Sequence, residues 1–322
     1  MARPLVYTVG RVIADLYADK VSTPMEQAAS FRKYVGGSSA NTAVGLARLG
    51  RPTGVVARVG RDPMGTFIAE TLQREGIDTT MLRLDPQYQT GIAFAALYPP
   101  NDSQVWFCGN PNANSRLAVE DLDFDALKEA RALVIAGTAL AREPARSTVL
   151  ALAHVAATAQ IPVVLDIDWR PVFWERSDEA LSVYDKLLPL SQVVLANEPE
   201  LTVVGDSHEM QDAAARLLGL GVGEVVAKRG KEGAWSFGPH RDPVFVPAFS
   251  VPVLNTLGAG DAFAAGYVHG LLAGWEVHER LKWANACGAI VVTRHSCSEA
   301  MPTAAEVEAL CRRGEREDGS HE

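Results

Sequence analysis

The sequence has only four cysteines, and no two of them form a C-x-x-C pair. The ligand spacing of cysteine-based metal sites is therefore absent. Scattered cysteines of this kind favour reduced, mostly buried thiols, as in cytoplasmic proteins, where disulfides are rare. We therefore expect a cytoplasmic protein in which Cys108, Cys287, Cys297 and Cys311 are free.

Long apolar runs and an excess of basic side chains are also missing. No stretch approaches the ~20 apolar residues of a membrane span, and the opening MARPLVYTVG lacks the apolar run of a secretory leader. Lysine and arginine number 30 against 39 aspartates and glutamates, for a net charge of -9. This balance argues against partners such as nucleic acid or an anionic membrane, but it permits a small anionic ligand.

Two common nucleotide-binding motifs do not occur. A P-loop requires G-x-x-x-x-G-K-S/T, and no such string is present. The dinucleotide fingerprint G-x-G-x-x-G should follow the first strand, but Gly10 is followed by RVIADLYAD. Any phosphate site must therefore be built in another way.

The chain does contain a repeating order of apolar runs and helix-like stretches. Runs of Val, Ile and Leu without alternation, typical of strands buried on both faces, lie at 5–9, 132–136, 162–166, 192–196 and 224–228. Helix-like stretches lie at 40–49, 63–75, 144–159, 210–218, 262–273, 277–293 and 304–312. This order predicts an α/β fold with a central, mainly parallel sheet flanked by helices.

Two stretches, at about residues 11–35 and 80–112, interrupt this order with short β-like runs and no helix between them. They predict a small antiparallel sheet set apart from the main one. Their separation in sequence favours insertions into a single domain, spanning 1–322, over an independent module. A small sheet that covers a site acts as a lid.

The segment most informative about chemistry is NTLGAGDAF at 255–263. A turn of small residues, Gly258, Ala259 and Gly260, opens a helix whose free N–H groups and dipole attract an anion. An acid in the first turn, Asp261, suits a base that takes a proton from a hydroxyl beside that anion. From these residues alone an ordinary helix start is an equal alternative, because glycine turns and first-turn acids are common there.

The same string resembles the C-terminal signature of the ribokinase-like, or PfkB-type, carbohydrate kinases. GGSSAN at 36–41, followed by Gly50 and Gly60, resembles the N-terminal signature of that family. The resemblance runs from Val6 to about Leu310. It implies a ribokinase-like fold with a small β-sheet lid, and transfer of a phosphoryl group from ATP, with Mg²⁺, to a sugar hydroxyl.

The resemblance also assigns individual residues. NEPE at 197–200 resembles the family's Asn-x-x-Glu motif, in which Asn197 and Glu200 act on phosphate and Mg²⁺ through water, a mode that suits this ion. Further nucleotide contacts are expected at Lys228, Gly230, Gly233, Asn285 and Gly288. Sugar contacts are expected at Asp15, Gly37 and Asn41, because carboxylate and amide groups suit the hydroxyls of a polyol.

Arg170 bears on the choice of substrate. It lies in DIDWRPVFW at 166–174, which resembles a segment of the family's sugar-acid kinases. Its planar fork binds a carboxylate at two points, a feature that kinases of neutral sugars do not need. An ion pair with Asp166 or Asp168 is the alternative role.

C-terminal strings such as HGLLAGW and CSEAMPT resemble the inositol-catabolic branch of the family, whose substrate is 5-dehydro-2-deoxygluconate. The expected reaction transfers the γ-phosphoryl group of ATP to the terminal hydroxyl of this keto acid. Three places depart from the pattern, one of which is Thr256, where that branch often has glycine. FCGNP at 107–111 lacks an arginine that such lids usually carry, and Asn255 replaces an aspartate, which weakens the expectation of K⁺ as a further cofactor.

Several alternatives stay open at this stage. Within the family, the alternative substrates are 2-keto-3-deoxygluconate, ribose, fructose and a nucleoside. Arg170 disfavours only the neutral compounds among them. A dehydrogenase would need the missing glycine fingerprint, and a non-catalytic sugar sensor would have lost Asp261. The lid's apolar residues Phe94, Leu97 and Trp106 are expected either to form a homodimer surface or to cover the site.

Overall fold

The computed structural model describes residues 5–100 and 102–318. Within these ranges no helix is both long and apolar enough to cross a membrane. The strands are β1 (Val6–Val9), β2 (Ile13–Ala18), β3 (Phe31–Gly36), β4 (Thr53–Gly60), β5 (Leu82–Asp85), β6 (Ile92–Tyr98), β7 (Asp102–Cys108), β8 (Ala132–Ala136), β9 (Val163–Asp166), β10 (Val193–Asn197), β11 (Glu224–Lys228), β12 (Ala234–Phe237) and β13 (Val244–Val246). The helices are α1 (Ser38–Arg48), α2 (Pro63–Arg74), α3 (Phe124–Lys128), α4 (Ala145–Thr158), α5 (Ala180–Leu187), α6 (Glu198–Gly205), α7 (Met210–Gly219), α8 (Ala259–Ala273), α9 (Val277–Val292) and α10 (Ala304–Asp318).

Nine strands form a large sheet in the order β13-β12-β11-β10-β9-β8-β1-β4-β5. From β5 to β11 all neighbours are parallel, whereas β11–β12 and β12–β13 are antiparallel. Parallel strands need crossover connections, which place helices on the faces of the sheet. The expected mainly parallel sheet flanked by helices is thereby confirmed. Ligands of such sheets bind beyond the carboxyl ends of the strands.

Each face of the large sheet has its own apolar core. Helices α1, α2, α8, α9 and α10 pack on one face, where Val44 is a fully buried example. Helices α3 to α7 pack on the other face, where Leu152 is buried. The central strand β8 is buried at every residue, with Val134 in the first core and Ile135 in the second. Burial on both faces explains why these strands are unbroken apolar runs.

The remaining strands form a small sheet in the order β3-β2-β6-β7. The pairs β2–β3 and β6–β7 are antiparallel, as expected, whereas the central pair β2–β6 is parallel. The chain leaves this sheet after β3, passes through α1, β4, α2 and β5, and returns at β6 in the same direction as β2. Strand β5, inside the second stretch expected for the lid, pairs with β4 at the edge of the large sheet.

Helices α3, α5 and α6 lie where the sequence pattern predicts no helix. They have 5, 8 and 8 residues, too few for an apolar period to stand out. Helix α6 instead has a local start signal, a capping box in which Asn197 and Glu200 exchange hydrogen bonds. Short helices of this kind are recognised from their capping residues rather than from periodicity.

Asp62 connects the start of α2 to the small sheet. Its carboxylate accepts hydrogen bonds from Gly65 N at 2.8 Å and from the backbone N and hydroxyl of Thr90, each at 2.8 Å, just before β6. The substitution Asp62→Ala removes the acceptor for all three donors, so we expect the free energy of unfolding to fall by about 2–3 kcal/mol. Urea denaturation measures this change. Asp125→Ala is the control, because the Asp125 side chain is 96% exposed; equal losses in both variants would contradict the prediction.

Candidate active site

The turn that opens α8 is fixed by a glycine and an asparagine. Gly258 has a φ of 83°, a left-handed conformation that favours glycine, and an added Cβ would lie 3.0 Å from the Cβ of Cys297. Oδ1 of Asn255 accepts from Leu257 N at 2.9 Å, and its Nδ2 donates to Ser296 O at 3.1 Å. The asparagine thus holds the turn, which places Asp261 in the first turn of α8.

A hydrogen bond joins this turn to the start of α1. Nδ2 of Asn41 donates to Oδ2 of Asp261 at 2.7 Å. Small residues let the two helices approach, since a Cβ added to Gly45 would lie 2.7 Å from the Cβ of Ala265. Gly37 leads into α1 with a φ of 91°, and the two signature segments, distant in sequence, therefore form one site.

A cavity of about 150 Å³ lies between the starts of α1 and α8 and the small sheet. Its wall contains all the residues predicted to bind the sugar, together with the predicted base. These residues are Asp15, Gly37, Asn41, Arg170, Gly258 and Asp261. The small sheet closes the other side with Ala93, Ala95, Val105 and Phe107, as a lid would.

Two carboxylates of this cavity have pKa values near neutrality. Burial raises the pKa of Asp261 to about 7, and the negative charge of Asp168 adds to the shift. Burial likewise raises the pKa of Asp15 to about 7, against the opposing effect of the positive charge of Arg11. A carboxylate with such a pKa can accept and release a proton at neutral pH, as a general base must.

Charged residues at and after the carboxyl ends of β9 and β11 lie in and beside the cavity. Nζ of Lys228 donates to Oδ1 of Asp166 at 2.7 Å. Asp168 pairs with Nε of Arg170 at 3.3 Å, so Arg170 both makes the alternative ion pair and lines the cavity. Burial raises the pKa of Asp168, but the positive charges of Arg11 and Arg170 outweigh it and hold the pKa below its ordinary value.

Glu200 and Asn197, predicted for Mg²⁺ and phosphate, meet at the start of α6. Oε1 of Glu200 accepts from Trp169 N at 3.1 Å, and Oε2 accepts from Asn197 N at 2.8 Å. Each oxygen keeps acceptor capacity for a metal-bound water. In the described part of the chain, no cluster of three or more His, Cys, Asp or Glu side chains could hold a metal directly. The residues fit an ion such as Mg²⁺, which keeps several waters and binds through few protein ligands.

Two of the residues predicted for the nucleotide, Lys228 in β11 and Gly288 in α9, lie close to the start of α8. A Cβ added to Gly260 would lie 3.6 Å from Nζ of Lys228. A Cβ added to Gly288, in α9, would lie 3.4 Å from the carbonyl oxygen of Ala259. Both glycines therefore leave room beside the helix start, and Lys228 brings a positive charge to it.

The other predicted nucleotide residues hold the chain after β11 and β13. Nδ2 of Asn285 donates to Val246 O at 3.0 Å and to Pro247 O at 3.1 Å. Gly233, with a φ of 114°, leaves no room for a Cβ beside the same carbonyl of Val246. Gly230 has a φ of 55° in the turn between β11 and β12. The amide donors of Asn285 are thus already engaged, and its contact with the nucleotide stays a prediction.

The sequence analysis missed one charged residue of the cavity, Arg11. It follows Gly10 at the end of β1, lines the cavity and lies with Nη2 3.5 Å from Oδ2 of Asp168. The sequence did contain a signal for Arg11, which is its position directly after the first predicted strand. A polar residue directly after a parallel strand lies at the edge of the sheet where ligands bind.

Residues 3–304 match the family model described as pfkB family carbohydrate kinase. The chain belongs to this family. It is therefore a carbohydrate kinase, a phosphotransferase that acts on a sugar hydroxyl, and the predicted family and enzyme class are confirmed.

This pfkB kinase is similar to characterised and solved proteins over nearly its whole length. A relative named 5-dehydro-2-deoxygluconokinase, from Bacillus subtilis (strain 168), is 34% identical over 310 residues, which are 95% of each chain. A ribokinase II candidate from E. coli, in complex with ATP and Mg²⁺, has a TM-score of 0.88 at 26% identity and covers 96% of this chain and 99% of its own. A double mutant of fructokinase from Vibrio cholerae O395, with fructose, ADP and potassium ion, has a TM-score of 0.85 at 26% identity, with 97% and 100% covered. These similarities confirm the ribokinase-like fold.

The pKa of Asp261 predicts how activity depends on pH. Below about pH 7 the carboxylate is protonated and cannot accept a proton. We therefore expect kcat/KM to rise by at least about tenfold per pH unit up to about pH 7 and then to level off. Measurements of initial rate across this range test the prediction. The step should persist in Asp15→Asn, and its loss there would assign it to Asp15 instead.

The close packing at Gly36 allows a second prediction, which concerns sugar binding. A Cβ at this position collides with the carboxylate of Asp15, on the neighbouring strand of the small sheet. Gly36→Ala must displace that carboxylate, so we expect KM for the sugar to rise by roughly tenfold or more with a smaller change in kcat. Steady-state kinetics measure both constants. Gly219→Ala is the control, because nothing lies within 4 Å of its added Cβ; an unchanged KM in Gly36→Ala would count against a sugar-binding role of Asp15.

Proposed function

We propose that this kinase transfers the γ-phosphoryl group of ATP to the terminal hydroxyl of 5-dehydro-2-deoxygluconate, a reaction of inositol catabolism. The observation that carries the proposal is the similarity to 5-dehydro-2-deoxygluconokinase, at 34% identity over 95% of the chain. The cavity agrees with an acidic substrate, because Arg170 lines it together with Asp261. A guanidinium group binds a carboxylate through strong, charge-assisted hydrogen bonds.

In this proposal Asp261 accepts the proton of the attacking hydroxyl. Asn41 donates to Oδ2 of Asp261 at 2.7 Å, which orients the carboxylate and leaves Oδ1 for the hydroxyl. The hydroxyl oxygen attacks the γ-phosphorus, the bond to the β–γ bridging oxygen breaks, and ADP leaves. Backbone N–H groups at the start of α8 stabilise the developing negative charge. The N–H of Ala259 already donates to Thr256 O at 3.4 Å, so Gly260 and Asp261 are the principal donors.

The proposal involves two metal ions, Mg²⁺ and K⁺. Mg²⁺, when bound, neutralises charge on the phosphates, and Glu200 with Asn197 would hold it through water. Lys228 lies beside Gly260 and would add a positive charge close to the phosphates. For K⁺, both ends of the Asn255 amide already bind the backbone, and its neutral oxygen brings no charge to the ion. A K⁺ requirement therefore stays a prediction that depends on other oxygen atoms.

We further propose that the chain is a single domain whose small sheet acts as a lid, and that the protein is a cytoplasmic homodimer. Trp106 is 58% exposed and stacks on Phe94, with ring centroids 5.6 Å apart, which supports an aromatic contact surface on this sheet. Leu97 is instead buried against Tyr17 and Tyr34. Of the two roles considered for these residues, exposed Trp106 and half-buried Phe94 fit a partner surface, and Leu97 covers the interior.

The test is ADP release from Mg-ATP with 5-dehydro-2-deoxygluconate, 2-keto-3-deoxygluconate, ribose, fructose and adenosine. We expect selective turnover of the first compound. Loss of the base in Asp261→Asn should lower kcat by about 10²- to 10⁴-fold, whereas Asp125→Asn, at an exposed position, should not change it. Preference for another compound of the panel would contradict the substrate. Near-normal turnover by a folded Asp261→Asn variant would contradict the mechanism.

A further inference from the structure

The backbone around Arg11, between β1 and β2, is fixed on both sides. The carbonyl oxygen of Arg11 accepts from Ser39 N at 3.2 Å. The next residue, Val12, donates its N–H to Oδ1 of Asn114 at 2.8 Å. The direction in which the Arg11 side chain leaves the backbone is therefore set by the fold, at the carboxyl edge of the large sheet where ligands bind.

The guanidinium group of Arg11 rests against two aromatic rings. Its central carbon lies 5.4 Å from the ring centroid of Phe107 and 5.2 Å from that of Phe173, and the two centroids are 4.8 Å apart. Phe107 belongs to β7 of the small sheet, and Phe173 lies in the turn after β9. Such contacts attract a cation and hold its plane. The side chain is only 13% exposed, yet it lines the substrate cavity.

The hydrogen-bonding capacity of Arg11 is poorly used by the protein itself. Among the described residues its side chain makes one hydrogen bond, from Nη2 to Asp168, and this bond is long, at 3.5 Å. Its Nε is buried and has no partner in the described part of the chain. Asp168 is also shared, because it pairs with Arg170 at 3.3 Å and accepts from Thr138 at 3.2 Å. A buried cation with unused donors is stabilised by a further acceptor.

We propose that Arg11 is a specificity-determining residue that binds the carboxylate of the sugar acid together with Arg170, a role that rests on the proposed function. Two guanidinium groups share the one carboxylate that pairs directly with both, Asp168, and a carboxylate from the substrate would give them a second direct partner. The side chain of Arg170 is 48% exposed, whereas that of Arg11 is 13% exposed. Arg11 therefore supplies the better desolvated contact, in which a charge-assisted hydrogen bond is stronger.

A purely structural role for Arg11 leads to different kinetics. If Arg11 only positions Phe107 and Asp168, its replacement changes turnover of acidic and neutral substrates alike. If it binds the carboxylate, its replacement raises KM for the acid far more than KM for a neutral counterpart. The ratio of the two KM values is therefore the measurement that separates the roles.

The test compares wild type, Arg11→Gln and Arg11→Lys on 5-dehydro-2-deoxygluconate and on its neutral counterpart, in which a hydroxymethyl group replaces the carboxylate. We expect Arg11→Gln to raise KM for the acid roughly 10- to 100-fold more than it raises KM for the neutral sugar. Arg11→Lys should lie between, because it keeps the charge and loses the fork. Arg146→Gln is the matched control: Arg146 also rests on an aromatic ring, Trp174 at 5.5 Å, and pairs with Glu179 at 3.5 Å, but it does not line the cavity.

The outcomes distinguish this role from the proposed function. If wild type prefers the acid and both Arg11 variants keep that preference, the role of Arg11 is overturned and the proposed function stands. If wild type prefers the neutral sugar, the proposed function fails and the role fails with it. If Arg11→Gln does not fold, as judged by thermal unfolding, Arg11→Lys decides, and an unchanged ratio of KM values overturns the inference.

Discussion

The hydrogen bond from Asn41 to Asp261 joins the two helices whose starts form the active site. It requires α1 and α8 to approach closely, which the small residues Gly45 and Ala265 allow. Both helices lie on one face of the large sheet and begin at the carboxyl edge of its strands, where ligands bind. The proposed base, the residues predicted to bind the sugar and the N–H groups at the start of α8 therefore share one frame. A shift of α1 along α8 would move the base relative to the wall that positions its substrate.

The charges around that base have two distinct tasks. Arg11 and Arg170 hold the pKa of Asp168 below its ordinary value despite burial, so this carboxylate stays ionised and orients cations. Its fixed negative charge then adds to burial in raising the pKa of Asp261 to about 7. Neighbouring carboxylates with pKa values moved in opposite directions can thus divide the work of binding and proton transfer.

The sequence predicts those parts of the fold and site that have a local cause. Buried strands are contiguous apolar runs, and the glycine turn before Asp261 is a contiguous string, so both can be read directly. The place of Arg11 just after β1 marks it as a candidate site residue, but its contacts with Phe107 and Phe173 come from distant segments and could not be read from the sequence. The parallel pairing of β2 with β6 likewise depends on the path of the chain between them. For Asn285 the motif predicted a contact with the nucleotide, whereas its amide donates to the backbone at the end of β13. A motif can therefore locate a residue without giving its contacts.

If the sugar binds as proposed, the buried carboxylates of the cavity also make its binding a proton-exchange reaction. Asp15 and Asp261 each have a pKa of about 7, so near neutrality each is about half protonated before the sugar arrives. A sugar hydroxyl that donates to Asp15 favours the ionised form, and the displaced proton passes to the buffer. The heat of binding then depends on the ionisation enthalpy of that buffer. Protons and sugar compete for the same carboxylate, so acidification of the surroundings weakens sugar binding even where the sugar itself carries no titrating group.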